Sequence, residues 1–198
     1  MPHPLAIALT ATRDYGAVQK TAELASFLAV LQGVRPLEVI VEIGSDAGGT
    51  LWAWQQLGCQ VIGVDLPYAA FSSSYPDGLV PVSHELNGHG CEIVIGDSHH
   101  WNTYRCLIEV LDGRTVDMLF IDGDHSYPGV KADYEMYSPL VRPGGVIAFH
   151  DVCDHPELTG CKVRAFWQSL DGDKEEIVTF PPTWGGIGML RVPALVTA

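Results

Sequence analysis

The sequence predicts an α/β protein built on a doubly wound, mostly parallel sheet, and three observations predict it. Strand-like and helix-like stretches alternate along the chain, the pattern of a layered α/β domain. The strand-like runs are apolar at consecutive positions, as in strands covered by helices on both faces. Each of the first five runs is followed at once by a glycine, a carboxylate or a histidine, and sheets of this kind bind ligands outside the carboxyl ends of their strands.

Taken in order, residues 1–36 read as an N-terminal helical cap segment. Its clearest part, Gln19–Leu31, has apolar residues at helical spacing and stops near Gly33 and Pro36. The strand runs are Val39–Ile43, Val61–Val64, Cys91–Ile95, Met118–Ile121 and Val146–Phe149. Helices are expected between them at Thr50–Leu57, His99–Leu111 and Val130–Leu140, with Phe166–Leu170 closing a last one. Glu176–Phe180 and Ile187–Val192, joined through Pro181-Pro182 and Trp184-Gly185-Gly186, read as a closing antiparallel pair. The sum is a Rossmann-like, seven-stranded sheet with a C-terminal antiparallel hairpin, in a single domain over 1–198. The polar stretch Pro67–Gly90 reads as a loop beside the site.

Composition narrows the function. Apolar residues make up 47% and charged residues 18% of the 198, which is globular rather than disordered. With 24 acidic and 11 basic side chains the net charge is -13. Such a surface repels phosphate backbones and anionic lipid, so nucleic acid and membrane are poor partners, while neutral or cationic small molecules and divalent metals suit it. No apolar run approaches the roughly 20 residues of a membrane span. The opening Met1-Pro2-His3-Pro4 lacks the basic-then-apolar order of a secretory signal. Cys59, Cys91, Cys106, Cys153 and Cys161 are scattered and odd in number, which fits reduced thiols in a cytoplasmic protein.

The ends of the first three strands suit a nucleotide. After strand one comes Glu42-Ile43-Gly44-Ser45-Asp46-Ala47-Gly48-Gly49-Thr50. Its glycines let the backbone turn sharply and approach a ligand, and the helix that follows starts with free N–H groups facing the pocket. Strand two ends in Asp65, followed by Leu66, and an acidic residue there can accept ribose hydroxyls. Strand three ends in Gly96-Asp97-Ser98, suited to an adenine edge. Each feature alone fits an ordinary turn or helix cap; three in register at successive strand ends point to a nucleotide site. Trp101 stands where it could stack on a base.

These residues, with the blocks Phe120-Ile121-Asp122-Gly123-Asp124-His125-Ser126-Tyr127 and Arg142-Pro143-Gly144-Gly145-Val146-Ile147-Ala148-Phe149-His150-Asp151, resemble class I S-adenosylmethionine-dependent methyltransferases over about residues 15 to 192. The resemblance is nearest to a small bacterial group of cephalosporin-hydroxylase-like and sugar O-methyltransferases. It implies a methionine site at Glu42, Gly44, Ser45 and Gly48, ribose at Asp65 and Leu66, adenine at Asp97 and Ser98, and Asp122 beside the cofactor. One departure stands out: the middle loop glycine of that family is Asp46 here. A nicotinamide dehydrogenase is the rival, although the turn lacks a clean G-x-G-x-x-G. A cofactor-fold partner protein without transfer activity is the alternative of another class.

The ends of strands four and five carry the expected chemistry. In one reading Asp122, His150 and Asp151 hold Mg²⁺ or another divalent cation that activates a substrate hydroxyl; a histidine at 150 favours a softer metal. In the other, no metal binds and His125 or His150 is the general base, since an imidazole titrates near neutrality. Position 125 is where the resemblance places a basic catalytic residue. The set His150, Cys153, His155 and Cys161 lacks the spacing of a regular zinc finger or ribbon. The expected activity is O-methylation of a small-molecule hydroxyl, with a homodimer helping to cover the site.

Overall fold

The computed structural model describes residues 2–34, 36–67, 90–156, 160–180 and 182–194. The loop expected over Pro67–Gly90 lies outside these residues from 68 to 89.

Seven strands form one sheet in the order β3-β2-β1-β4-β5-β7-β6. They are β1 Val39–Ile43, β2 Gln60–Asp65, β3 Cys91–Ile95, β4 Val116–Ile121, β5 Val141–His150, β6 Asp173–Ile177 and β7 Ile187–Arg191. The first five are parallel, and β7 lies antiparallel between β5 and β6. The order reverses between β1 and β4, so the crevice for a ligand opens above their carboxyl ends.

Helices α1 Pro4–Asp14, α2 Thr21–Leu31 and α3 Gly49–Gln55 cover one face. Their Leu24, Phe27, Leu28 and Trp54 pack on Ile40, Met118, Phe120 and Ala148. Helices α4 Trp101–Leu111, α5 Tyr127–Tyr137 and α6 Val163–Ser169 cover the other, where Leu107, Tyr137, Phe166 and Trp167 meet Val41, Ile43, Leu119 and Phe149. Successive residues of one strand therefore serve opposite cores, which is why these runs carry no polar alternation. No described helix is long and apolar enough to cross a membrane.

Boundaries shift by a few residues along the chain, and three of them bear on how the sequence reads. The β5 strand starts at Val141, because Arg142 pairs with the buried Asp117 and a register shift carries the chain through Pro143-Gly144. The α6 helix begins at Val163. The β6 strand sits at Asp173–Ile177, not Glu176–Phe180. It is an edge strand of four consecutive charged residues, which protects an edge but leaves no apolar run to read.

Candidate functional site

The turn after β1 shows why its residue types were needed. Gly44 has φ +82°, and a Cβ there would lie 2.3 Å from the Asp122 carbonyl oxygen. Only glycine lets the β1 and β4 ends come this close. Gly48, also at positive φ, opens α3. The turn hangs on one carboxylate: Asp65 Oδ2 accepts the N–H groups of Ser45 and Asp46, both at 2.7 Å, and Oδ1 accepts the Leu66 N–H at 2.6 Å. A carboxylate has about four lone-pair positions, so one is left for a ribose hydroxyl where two were expected. Burial raises the pKa of Asp65 against the pull of these N–H groups.

Further along, Asp97 accepts the His99 N–H, and the Ser98 carbonyl accepts the Tyr137 hydroxyl. The His99 ring faces buried Asp133 at 3.2 Å. Asp97, Ser98 and His99, with Gly44, Asp65, Leu66, Asp122 and His125, line a cavity of about 500 Å³. Trp101 is 61% exposed and stacks on Tyr104, outside that lining.

A second cavity of about 280 Å³ shares Gly44, Asp46, Asp122 and His125 with the first. Its remaining lining includes Gln19, Ser45, His150, Asp151, His155 and Trp184. At the shared wall Asp122 is a hub. Its Oδ2 accepts from the Gln19 amide at 2.7 Å, while Oδ1 faces His125 Nε2 at 3.2 Å and His150 Nδ1 at 3.3 Å. Asp151 faces the same two ring nitrogens, 3.5 Å from His125 Nε2 and 3.4 Å from His150 Nδ1.

The electrostatics follow from this crossing of charges. For His150, burial pulls the pKa down, but Asp122 and Asp151 overcome it and push it up to about 10. His125 is raised mainly by its hydrogen bond to Asp122. Both carboxylates are lowered: burial opposes, and the facing imidazoles prevail.

The structure adds detail to two expected placements. Glu42 lies on the α3 side of the sheet, and its carboxyl oxygens accept from Thr50 Oγ1 and Trp54 Nε1. Burial pushes its pKa up to about 8. It braces α3 from within, although it still floors the smaller cavity. Of the expected metal set Asp122, His150 and Asp151, the donors that converge within 4.8 Å are Asp122, His125 and Asp151. His150 is 3% exposed, holds Nδ1 between the carboxylates, and has its Nε2 buried without a hydrogen-bond partner.

The family described as "Methyltransferase domain" matches residues 41–152, from β1 through the His150-Asp151 rim. The chain belongs to this methyltransferase family.

Two curated relatives are themselves uncharacterized. Protein y4gI of Sinorhizobium fredii is 31% identical over 111 residues, covering 55% of this chain and 12% of that protein. Protein R132 of Acanthamoeba polyphaga mimivirus is 32% identical over 122 residues, covering 58% and 52%. The chain thus spans about half or less of their length. Among solved structures, it is similar to the O-methyltransferase TomG of Streptomyces achromogenes in complex with SAM (TM-score 0.57, 20% identity, 97% of this chain and 91% of that one). It is also similar to an O-methyltransferase from Bacillus cereus in complex with SAH (0.59, 21%, 97% and 91%). The MycE methyltransferase, in complex with Mg and SAH, gives 0.62 at 15% identity, over 97% of this chain and 55% of that one. These likenesses establish the shared fold.

In this methyltransferase domain, sequence reasoning missed three contributors. Gln19 reaches Asp122 across 103 residues. Asp133 faces His99 from within α5. Glu23, wholly buried on α2, accepts from the Thr179 N–H and hydroxyl and from the Gly186 N–H. Each acts across the tertiary structure, and only the helical spacing that buries Glu23 was present in the sequence.

Proposed function

We propose that the chain is an S-adenosylmethionine-dependent O-methyltransferase acting on a hydroxyl of a small molecule. The observation that carries this reading is the wall of Gly44, Asp46, Asp122 and His125 shared by the two cavities. The larger would take the nucleoside along Asp65, Leu66, Asp97 and Ser98. The smaller would take the methionine end beside Gly44 and Ser45 and the acceptor beside His125. When bound, S-adenosylmethionine supplies a methyl group on a positively charged sulfur, and transfer is then chiefly a matter of in-line positioning.

His125 takes the acceptor's proton at Nδ1, while its Nε2–H donates to Asp122 Oδ1, which orients the ring and stabilises the imidazolium that forms. The acceptor oxygen bonds to the methyl carbon as the carbon–sulfur bond breaks, and S-adenosylhomocysteine leaves. A divalent cation would find oxygen donors in Asp122 and Asp151, but the third converging donor is His125, whose lone pair proton transfer requires. A cation on the Asp151 side leaves that pair free, and it would lower the acceptor's pKa. We take 1–198 as one domain capped by its first 36 residues, working in the cytoplasm, and as a homodimer whose second subunit helps cover the site; sedimentation as a monomer alone would oppose the dimer.

Calorimetric titration with S-adenosylhomocysteine, with and without Mg²⁺, tests the central claim. Low-micromolar binding supports it, and NAD⁺ should fail to compete. No binding in either condition overturns it. Binding without turnover across hydroxyl acceptors would favour the catalytically silent partner protein.

A further inference from the structure

Beyond the Asp122–His125 pair, the chain after β5 gathers a second group of donors. Asp151, His155 and Cys161 offer a carboxylate oxygen, an imidazole nitrogen and a sulfur, all within 4.8 Å of one another. Asp151 is buried, whereas His155 and Cys161 are half-buried, so the donors meet at the edge of the interior with one side open. The backbone is bent to present them. Asp151 has φ +62°, a left-handed conformation that costs a residue with a Cβ about 1 kcal/mol. The Lys162 N–H donates to the His125 carbonyl at 2.7 Å, which holds the neighbour of Cys161 against the rim.

The contacts within the group already hold two of the donors together. Asp151 Oδ1 lies 2.7 Å from His155 Nε2, and the Gly185 N–H is directed at that same nitrogen from 3.2 Å. The carboxylate needs a proton on the nitrogen, and the amide needs its lone pair. One nitrogen does not offer both. A cation bound by both donors would take the place of the proton that the oxygen and the nitrogen otherwise share.

The donor types select the cation. Magnesium prefers an all-oxygen, octahedral shell. One thiolate, one imidazole and one carboxylate suit a softer, four-coordinate ion, and three protein ligands leave a fourth position open. The cavity of about 280 Å³ lined by Asp151 and His155 adjoins the group.

We propose that Asp151, His155 and Cys161 bind one zinc-like divalent cation, with its open position toward this cavity. Binding displaces the Cys161 thiol proton. The site leaves His125 free for proton transfer. It stands or falls separately from the methyltransferase reading, since S-adenosylhomocysteine binding and metal binding are measured independently.

The test is titration of the metal-free full chain with Co²⁺, followed in the visible and near ultraviolet. One equivalent should give tetrahedral d–d bands and a thiolate-to-cobalt charge-transfer band. Zn²⁺ should erase both, and excess Mg²⁺ should leave them. Cys161→Ser should remove the charge-transfer band, Cys153→Ser should keep it, and His155→Ala should weaken binding at least about tenfold. Circular dichroism checks that each variant folds. Independently of any variant, Zn²⁺ should protect Cys161 of the wild-type chain from iodoacetamide. Absence of cobalt binding, cobalt bound without the charge-transfer band, or a band that survives Cys161→Ser overturns the proposal.

Discussion

The two halves of the sheet's carboxyl rim are built by different means. Over β1 to β3 the wall is made of backbone: glycines at positive φ, and three N–H groups gathered on Asp65. Over β4 and β5 it is made of side-chain charge, with Asp122 and Asp151 facing His125 and His150. The first arrangement fixes a shape, and shape binds ground state and transition state alike. The second sets protonation, and protonation acts on the reacting group. Damage to the first half should therefore appear in affinity, and damage to the second in turnover.

The sharpest way to break this division is His125→Ala. Its kcat should fall about 10²–10⁴-fold, the usual worth of a general base, while the Kd for S-adenosylhomocysteine changes less than about threefold. Calorimetry and single-turnover kinetics separate the two. The mirror experiment is Asp65→Ala, which leaves the Ser45, Asp46 and Leu66 N–H groups without their acceptor. The Kd should rise about ten- to a hundredfold, for a loss of about 1–3 kcal/mol, with kcat at saturation nearly kept. A variant with the opposite pattern would show that the two halves are one unit.

pH sharpens the comparison further. His125 acts as a base only when neutral, so kcat should climb with pH through a pKa displaced above 6.5, and His125→Ala should lose this limb. Stability has its own signature on each side. His150 is held charged in the fold up to about 10 against an ordinary 6.5. Its contribution is complete below 6.5 and lost as pH rises toward 10, so His150→Gln should flatten the alkaline decline of Tm. Glu42 behaves likewise in a lower window: a folded pKa of about 8 against 4.5 means that stability falls as pH rises between these values. Glu42→Gln should remove that slope.

The smallest effect is expected at Asp46, held at φ +46° where its relatives by resemblance have glycine. Asp46→Gly relieves the left-handed strain but loosens the unfolded chain. The balance should raise Tm by no more than about 2 °C. Scanning calorimetry is sufficient to see it.

The same division explains what was legible in the sequence. The doubly wound sheet and the turn after β1 were readable because the central strand runs are apolar at both faces and that turn carries its own glycines. A left-handed φ at Gly44 and Gly48 is written into residue type. The β6 strand was misplaced because an exposed edge has no apolar signature. The Asp122, His125, His150 and Asp151 cluster was named in advance, since β4 and β5 had to be neighbours. Its internal roles were not legible, because His125 and His150 differ in burial and partners, not in chemistry. Gln19, Asp133 and Glu23 contribute through contacts that no local pattern encodes.

Glu23 also bears on the order in which the chain is assembled. Its partners, the Thr179 and Gly186 groups, are synthesised 156 and 163 residues later. At about 5–20 residues per second, roughly 8–30 s pass during which α2 exists without the groups that are to bury its carboxylate. In that interval α1 and α2 are free to pair with each other, but the face of α2 that carries Glu23 has no seat. Glu23 therefore gains these partners only once the segment leading into β7 is in place, which ties the second helix to a stretch made more than 150 residues later.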